Sequence, residues 1–141
     1  MEKFSKPQII EIPKIADPRG NLSVIQEKDT VPFPISRIFY LYDVPADSSR
    51  GGHAHHIDNQ FMIALAGSFD VVLDNGRESH RYTLNRPYLG LLIPPGYWRT
   101  MDNFSAGSVC MVITDQPYDE SDYIRDYDEF KALMAPNPKP F

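Results

Sequence analysis

"RGGHAHHIDNQFMIALAG", residues Arg50–Gly67, places three histidines within four positions, with one residue between His53 and His55. The run that follows, "FMIALAG", is too short and too apolar for a surface helix and reads as a buried strand. On a strand, residues i and i+2 share a face. His53 and His55 therefore project together, with Ala54 and His56 on the other side. Two imidazoles on the inner face of a small barrel meet in its interior. Such a pair suits either a metal ion or proton transfer by neutral imidazole. Arg50 opens the stretch, and Gly51 and Gly52 permit a close backbone approach before the histidines.

The sequence around this stretch has the same short-strand texture. "QIIEIPKI", "LSVIQE", "ISRIFYLYDV", "SFDVVLD", "ESHRYTL", "YLGLLIPPG" and "GSVCMVIT" are β-prone runs broken by turn signals. "DPRGN", with Asp17, Pro18, Gly20 and Asn21, is one turn. "DNG", Asp74–Gly76, predicts a tight type I′ hairpin. Thirteen prolines in 141 residues disfavour helix interiors and central strands. Eight or nine short strands imply a β-sandwich or barrel. The exception is "YDESDYIRDYDEFKALM", which predicts a helix capped by Asp119 or Ser121. Its apolar face would carry Tyr123, Tyr127, Phe130 and Met134. The length suits one domain over residues 1–135, with "APNPKPF" an irregular or disordered tail over 136–141.

A formal net charge of −5 and the lack of a basic run argue against nucleic acid as a partner. No run approaches the roughly 18–20 apolar residues that span a bilayer, and no segment has the form of a signal peptide. The reading is a cytoplasmic protein with no membrane association. The single cysteine, Cys110, lies in an apolar run and reads as a core residue. His56 and His80 read as surface histidines without a role.

Four residues separate His55 from Gln60, and six separate Gln60 from Gly67. Downstream come Gly90, then Pro94-Pro95-Gly96, then Tyr97 and Trp98, then Arg99, and Asn103. These two spacings, in this order and separated by a hairpin, resemble the paired motifs of the cupin superfamily. The resemblance implies an all-β, double-stranded β-helix, or jelly roll, with a short C-terminal helix. A metal-binding cupin uses three histidines and a glutamate. This chain has Gln60 at the glutamate's place and Arg99 at the third histidine's. Arginine stays protonated and offers no lone pair, and neutral glutamine is a poor ligand for Zn²⁺ or Fe²⁺. No metal is expected. His and Arg together suit proton abstraction beside a carbonyl, with a cation holding the resulting oxyanion.

"RGGHAHH", "GLLIPPGYWRTMDNFS" and "YDESDYIRDYDEF" also resemble the cupin-type sugar 3,4-ketoisomerases, over roughly residues 10–131. That resemblance implies a dTDP-linked 4-keto-6-deoxy sugar as substrate and a homodimer with strand exchange. It implies His53 as the catalytic base, His55 as its companion and Arg50 as a further catalytic group. Arg99, Gln60, Tyr97, Arg37 and Phe39 fall to substrate binding. Family members commonly carry a tyrosine where this chain has Phe39. Tyr40 has the wrong parity to replace it; Tyr97, which shares parity with Arg99, is a candidate. Moving a ketone from carbon 4 to carbon 3 is a proton shuttle and needs no redox cofactor, in keeping with the lack of a nucleotide-binding glycine fingerprint. Rival readings are a non-catalytic sugar-nucleotide-binding cupin and a nucleotide-sugar 3,5-epimerase.

Overall fold

The computed structural model describes residues 5–141. Among these residues twelve strands and one α-helix follow in order. They are β1 (Gln8–Glu11), β2 (Lys14–Ile15), β3 (Leu22–Ser23), β4 (Arg37–Leu41), β5 (Arg50–His55), β6 (Gln60–Ala66), β7 (Phe69–Asp74), β8 (Ser79–Leu84), β9 (Leu89–Ile93), β10 (Trp98–Asp102), β11 (Val109–Thr114), β12 (Tyr123–Ile124) and α1 (Tyr127–Met134). Two five-stranded antiparallel sheets, ordered β1-β9-β6-β11-β4 and β12-β5-β10-β7-β8, form the jelly roll, and β2 and β3 make a separate hairpin across the "DPRGN" turn. The all-β cupin architecture with a C-terminal helix is the one expected from the strand spacing and the two motifs.

The main core lies between the sheets. Met62 and Ala64 of β6, Val71 and Leu73 of β7, and Leu91 and Ile93 of β9 alternate inward to build it. Cys110 joins this core, and burial pushes its thiol up to about 12, so it is no nucleophile at neutral pH. The opposite side of the first sheet is buried as well. Phe61, Ile63, Leu92 and Ile113 pack there with Val31 and Phe33. Gly90 sits in this sheet because no side chain fits: a Cβ there would stand 2.0 Å from the Phe61 ring. The glycine of the second motif is thus a packing requirement.

Three expectations change. The predicted long helix is a 3₁₀ turn at Glu120–Asp122, then β12, then α1. Asp119 caps the 3₁₀ turn, and Asp126 caps α1 by accepting from the Glu129 N–H at 3.1 Å. The spacing of Tyr127, Phe130 and Met134 holds on the helix, but Tyr123 lies on a strand paired with His55. Pairing with the exposed edge of β5 and burying Ile124 outweigh a weak local helix preference. The β7–β8 connection is a four-residue loop, Asn75–Glu78, rather than a two-residue turn. Gly76 takes φ +93°, but Asn75 does not adopt positive φ; its side chain accepts from the Arg77 and Glu78 N–H groups. The tail is irregular but pinned down. The Lys139 carbonyl accepts from the Asn75 amide at 2.6 Å, and Phe141 stacks on His80.

Candidate active site

β5 carries the site, and its two faces explain its sequence. Ala54 turns outward under α1, where it packs with Ile124 and Phe130. His53 and His55 turn inward. Their strand partners are Arg99 on β10 and Tyr123 on β12, and directly opposed residues share a face. The four side chains therefore meet at one end of the barrel. Gly51 makes this register possible: it has φ +87°, and a Cβ there would stand 2.9 Å from the Arg99 carbonyl. A bulge between Arg99 and Thr100 lies opposite it.

His53 and His55 meet edge to face, with ring centroids 4.9 Å apart, and the Tyr123 ring lies 5.0 Å from His53 and 4.4 Å from His55. The two imidazoles differ in their hydrogen bonds. His55 is fully engaged. Its Nδ1 is 2.9 Å from Asp122 Oδ2, and the Gln60 amide donates to its Nε2 at 3.3 Å. Asp122 also accepts from the His56 and Ile57 N–H groups. The Gln60 amide donates to Asp58 as well, while its carbonyl accepts from Arg99 Nη1 at 2.8 Å. This chain is consistent with one tautomer of His55, protonated on Nδ1 and accepting on Nε2. His53 has no hydrogen-bond partner among the described residues and is half-buried.

The electrostatics keep both rings neutral. Burial, followed by the Arg99 charge, holds His53 down at about 2, with the Glu120 carboxylate opposing; His55 is likewise held at about 2, by burial and then Arg99. Arg99 is itself 1% exposed, and burial lowers it to about 10, so it stays charged at neutral pH. Burial raises Asp58 to about 6, against the pull of its Gln60 hydrogen bond and Arg37.

The other expected site residues are placed as follows. Gln60 and Arg99 lie behind the histidines, both 1% exposed, as parts of the positioning network. Gln60 is engaged at both ends and Arg99 through Nη1 and Nη2, whereas the buried Arg99 Nε has no partner among the described residues. Arg37 lies over the Phe39 ring at 5.1 Å and pairs with Asp58 at 3.4 Å. Arg50 is exposed at the start of β5, opposite Met101, with no ion pair among the described residues. Tyr97 does not belong to the site. It is fully buried, and its hydroxyl lies against the carbonyls of Ser5 and Pro140. Shared parity with Arg99 put its ring in the interior, but the tail captures its oxygen.

Sequence reasoning missed Asp122, Asp58, Tyr123, Glu120 and Arg125. Glu120 binds Arg125 at 2.6 Å and accepts from the Tyr118 hydroxyl, and Arg125 lies 4.3 Å over the Tyr123 ring. All but Asp58 fall in the stretch that reads as a helix start. The available signal was the excess of acids there, more than a helix N-terminus needs.

His55, Asp58 and Asp122 could each offer one atom to a metal, all within 4.8 Å of one another. They fit one poorly. Asp122 already faces the His55 ring and two backbone N–H groups, and Arg37 and Arg99 supply positive charge beside Asp58. A groove of about 730 Å³ on the first sheet, lined by Ile12, Leu22, Ile25, Ile63, Tyr88 and Met111 among others, contains none of the site residues. Among the described residues no helix is long and apolar enough to cross a membrane.

The chain is 41% identical over 128 residues to TDP-4-oxo-6-deoxy-alpha-D-glucose-3,4-oxoisomerase of Aneurinibacillus thermoaerophilus, covering 91% of this chain and 92% of that one. Its structure is similar to that of a mutant of the 3,4-ketoisomerase QdtA from Thermoanaerobacterium thermosaccharolyticum, in complex with TDP-4-keto-6-deoxyglucose. That match has TM-score 0.91 and 37% identity and covers 93% of this chain and 95% of that one. A 3,4-ketoisomerase from Helicobacter canadensis matches with TM-score 0.89 and 40% identity, covering 92% and 97%. The model of the family described as "FdtA: WxcM-like, C-terminal" matches residues 5–135. The paired histidines, the Gln60 and Arg99 departures from a metal-binding cupin and these matches agree: the chain belongs to the WxcM-like FdtA family of sugar 3,4-ketoisomerases.

Proposed function

We propose that this chain is a cytoplasmic, metal-independent isomerase that moves the ketone of dTDP-4-keto-6-deoxyglucose from carbon 4 to carbon 3, in the biosynthesis of deoxy-amino sugars for surface polysaccharides. The observation that carries the mechanism is the difference between the two imidazoles. His55 is held on both nitrogens, whereas His53 is neutral and its ring has no hydrogen-bond partner among the described residues. His53 removes the proton from carbon 3, leaving an enediolate. Arg50 and the buried charge of Arg99 stabilise the oxyanion. The imidazolium returns a proton to carbon 4, and the ketone stands at carbon 3. Glu120, whose charge favours a protonated His53, supports the transient imidazolium. A positioned base supplies ~10²–10⁴-fold.

The test is proton NMR with dTDP-4-keto-6-deoxyglucose in D₂O containing EDTA. The expected result is a 3-keto product with solvent deuterium incorporated. Exchange at carbon 5 would indicate a 3,5-epimerase. Binding without exchange would indicate a sugar-nucleotide-binding protein, and loss of turnover in EDTA a metal enzyme.

We also propose a homodimer with strand exchange. β4 is an edge strand, and its outward residues Ile38 and Tyr40 are exposed, as are Ile9 and Leu65 in the same sheet. An unpaired apolar edge favours a second copy. Light scattering at micromolar concentration is expected to give about twice 16.1 kDa; a monodisperse monomer refutes the assembly.

A further inference from the structure

The tail segment Lys139–Phe141 lies beyond the stretch that the family model matches, yet it is anchored at three points. The Asn75 amide, on a residue 3% exposed, donates to the Lys139 carbonyl at 2.6 Å. Tyr97 is fully buried, and its hydroxyl lies against the Pro140 carbonyl and 3.0 Å from that of Ser5. The Phe141 ring stacks on His80, with centroids 4.0 Å apart and planes 4° apart, and meets Tyr97 edge to face at 5.5 Å. His80 stands opposite Leu73, a residue of the main core, so its ring rises on the inward side of β8. Phe141 packs on the same core. Gly96, at φ +89°, leaves room for the tail: a Cβ there would stand 2.9 Å from the Lys139 side chain. An irregular segment held by a buried amide, a buried phenol and an aromatic stack forms a strap across this end of the barrel.

The strap bears on a residue that holds Arg99. β10 begins at Trp98, so Tyr97 lies outside the ladder and takes its place from other contacts. The Gly96 N–H donates to the His55 carbonyl at 3.0 Å, and the Tyr97 hydroxyl faces the strap. The Tyr97 carbonyl in turn accepts from Arg99 Nη2 at 3.0 Å. The other bond of the guanidinium runs from Nη1 to Gln60 Oε1, and the buried Nε has no partner among the described residues. A buried cation with so few acceptors moves when one of them moves. Release of the Tyr97 hydroxyl frees its carbonyl to shift, and the shift passes to Arg99 through a packed network.

Resting on the isomerase reading above, we infer that Tyr97 is a positioning residue for Arg99, and that the Lys139–Phe141 strap locks it in place. The strap thereby fixes where the buried charge stands opposite His53.

Two variants release the strap at different anchors. Tyr97→Phe removes one oxygen and keeps the ring in the core. Asn75→Asp keeps the oxygen that accepts from the Arg77 and Glu78 N–H groups, and turns a second oxygen toward the Lys139 carbonyl in place of the donor. Each is expected to lower kcat by about tenfold, inside the range for groups that act through a packed network, with KM changed less than about threefold. The double variant is expected to fall no further than the slower of the two, because both act on one strap. Two NMR signals separate positioning from a general loss of structure. The His80 imidazole protons lie under the Phe141 ring and report release of the strap. The Arg99 Nε–H reports the guanidinium. Both signals are expected to move in both variants. Tyr127→Phe gives up a hydroxyl bond to Asp74 from the outer helix and serves as the control, expected to keep both signals and the wild-type rate. His80 signals that stay in place mean that these anchors do not hold the strap, and that result overturns the proposal. So does an unmoved Arg99 signal beside a shifted His80. Rates within about threefold of wild type, or losses that multiply in the double variant, also overturn it. A wild type without isomerase activity overturns the reading above, while the Arg99 signal still decides the positioning.

Discussion

His53→Asn is expected to turn over substrate at least ~10²-fold more slowly than wild type, with little change in nucleotide dissociation. Asparagine keeps a polar side chain of similar size but cannot take and release a proton near neutral pH. His56→Asn, on the exposed face, is expected to stay within about threefold, a margin well below the loss of a general base. The pair is measured by steady-state kinetics together with binding of dTDP. An active His53→Asn beside a dead His56→Asn means that the inward face is misassigned; two active variants mean that the base is another group. A second readout concerns stability. The folded protein holds His53 at about 2, whereas the unfolded chain takes a proton near the ordinary 6.5. Stability is therefore unaffected by this group above 6.5 and falls as pH drops toward 2. His53→Asn is expected to flatten the slope of unfolding free energy below about pH 6 by one proton, ~1.4 kcal/mol per pH unit. Denaturant titrations at several pH values check this, and an unchanged slope contradicts a neutral buried His53.

Asp122→Asn is expected to lower turnover by ~10–10²-fold, the cost of removing the partner that orients a metal-bound histidine, applied here to a metal-free imidazole. The carboxylate accepts from His55 Nδ1 and from two backbone N–H groups. An amide supplies one oxygen and one donor. If its NH₂ faces the ring, His55 must carry its proton on Nε2, where Gln60 now donates. Gln60 must then turn over, and Arg99 Nη1 loses its acceptor. A change of one oxygen to nitrogen thereby propagates through three side chains to the charge beneath His53. Asp122 is a positioning residue, so the informative measurement is kcat against KM along with the ¹⁵N tautomer signature of His55. Wild-type kcat with an unchanged tautomer refutes the relay. Asp122→Glu, which keeps the charge, is expected to recover part of the lost turnover.

Much of the site was legible because its geometry is local. The period-two alternation of β5 puts His53 and His55 on one face whatever surrounds them, and it sends His56 to solvent. The chemical identities of Gln60 and Arg99 argue against a metal before any contact is known. β10 was harder to read. Its inward position is an arginine, so "WRTMD" lacks the apolar alternation that marks a half-buried strand, although Arg99 and Met101 are both buried. The acidic run before α1 misled in the opposite way, since carboxylates at a helix start are ordinary. Burial of Asp122 follows only from the pairing of β12 with β5.

By itself the amino-acid sequence determined a strand-rich sandwich or barrel, the inward pair of histidines and the burial of Cys110, and the resemblance of its two motifs narrowed the fold to a jelly roll. The first three rest on residue chemistry or on a period of a few residues. Only the tertiary structure decided which histidine is free and which is held, because that depends on Asp122, 67 positions from His55 along the chain. It also decided that Tyr97 gives its hydroxyl to the tail while Tyr123 borders the imidazoles. A side chain's parity sets the face on which it lies, but the partner that takes its polar atom comes from a distant segment brought close by folding.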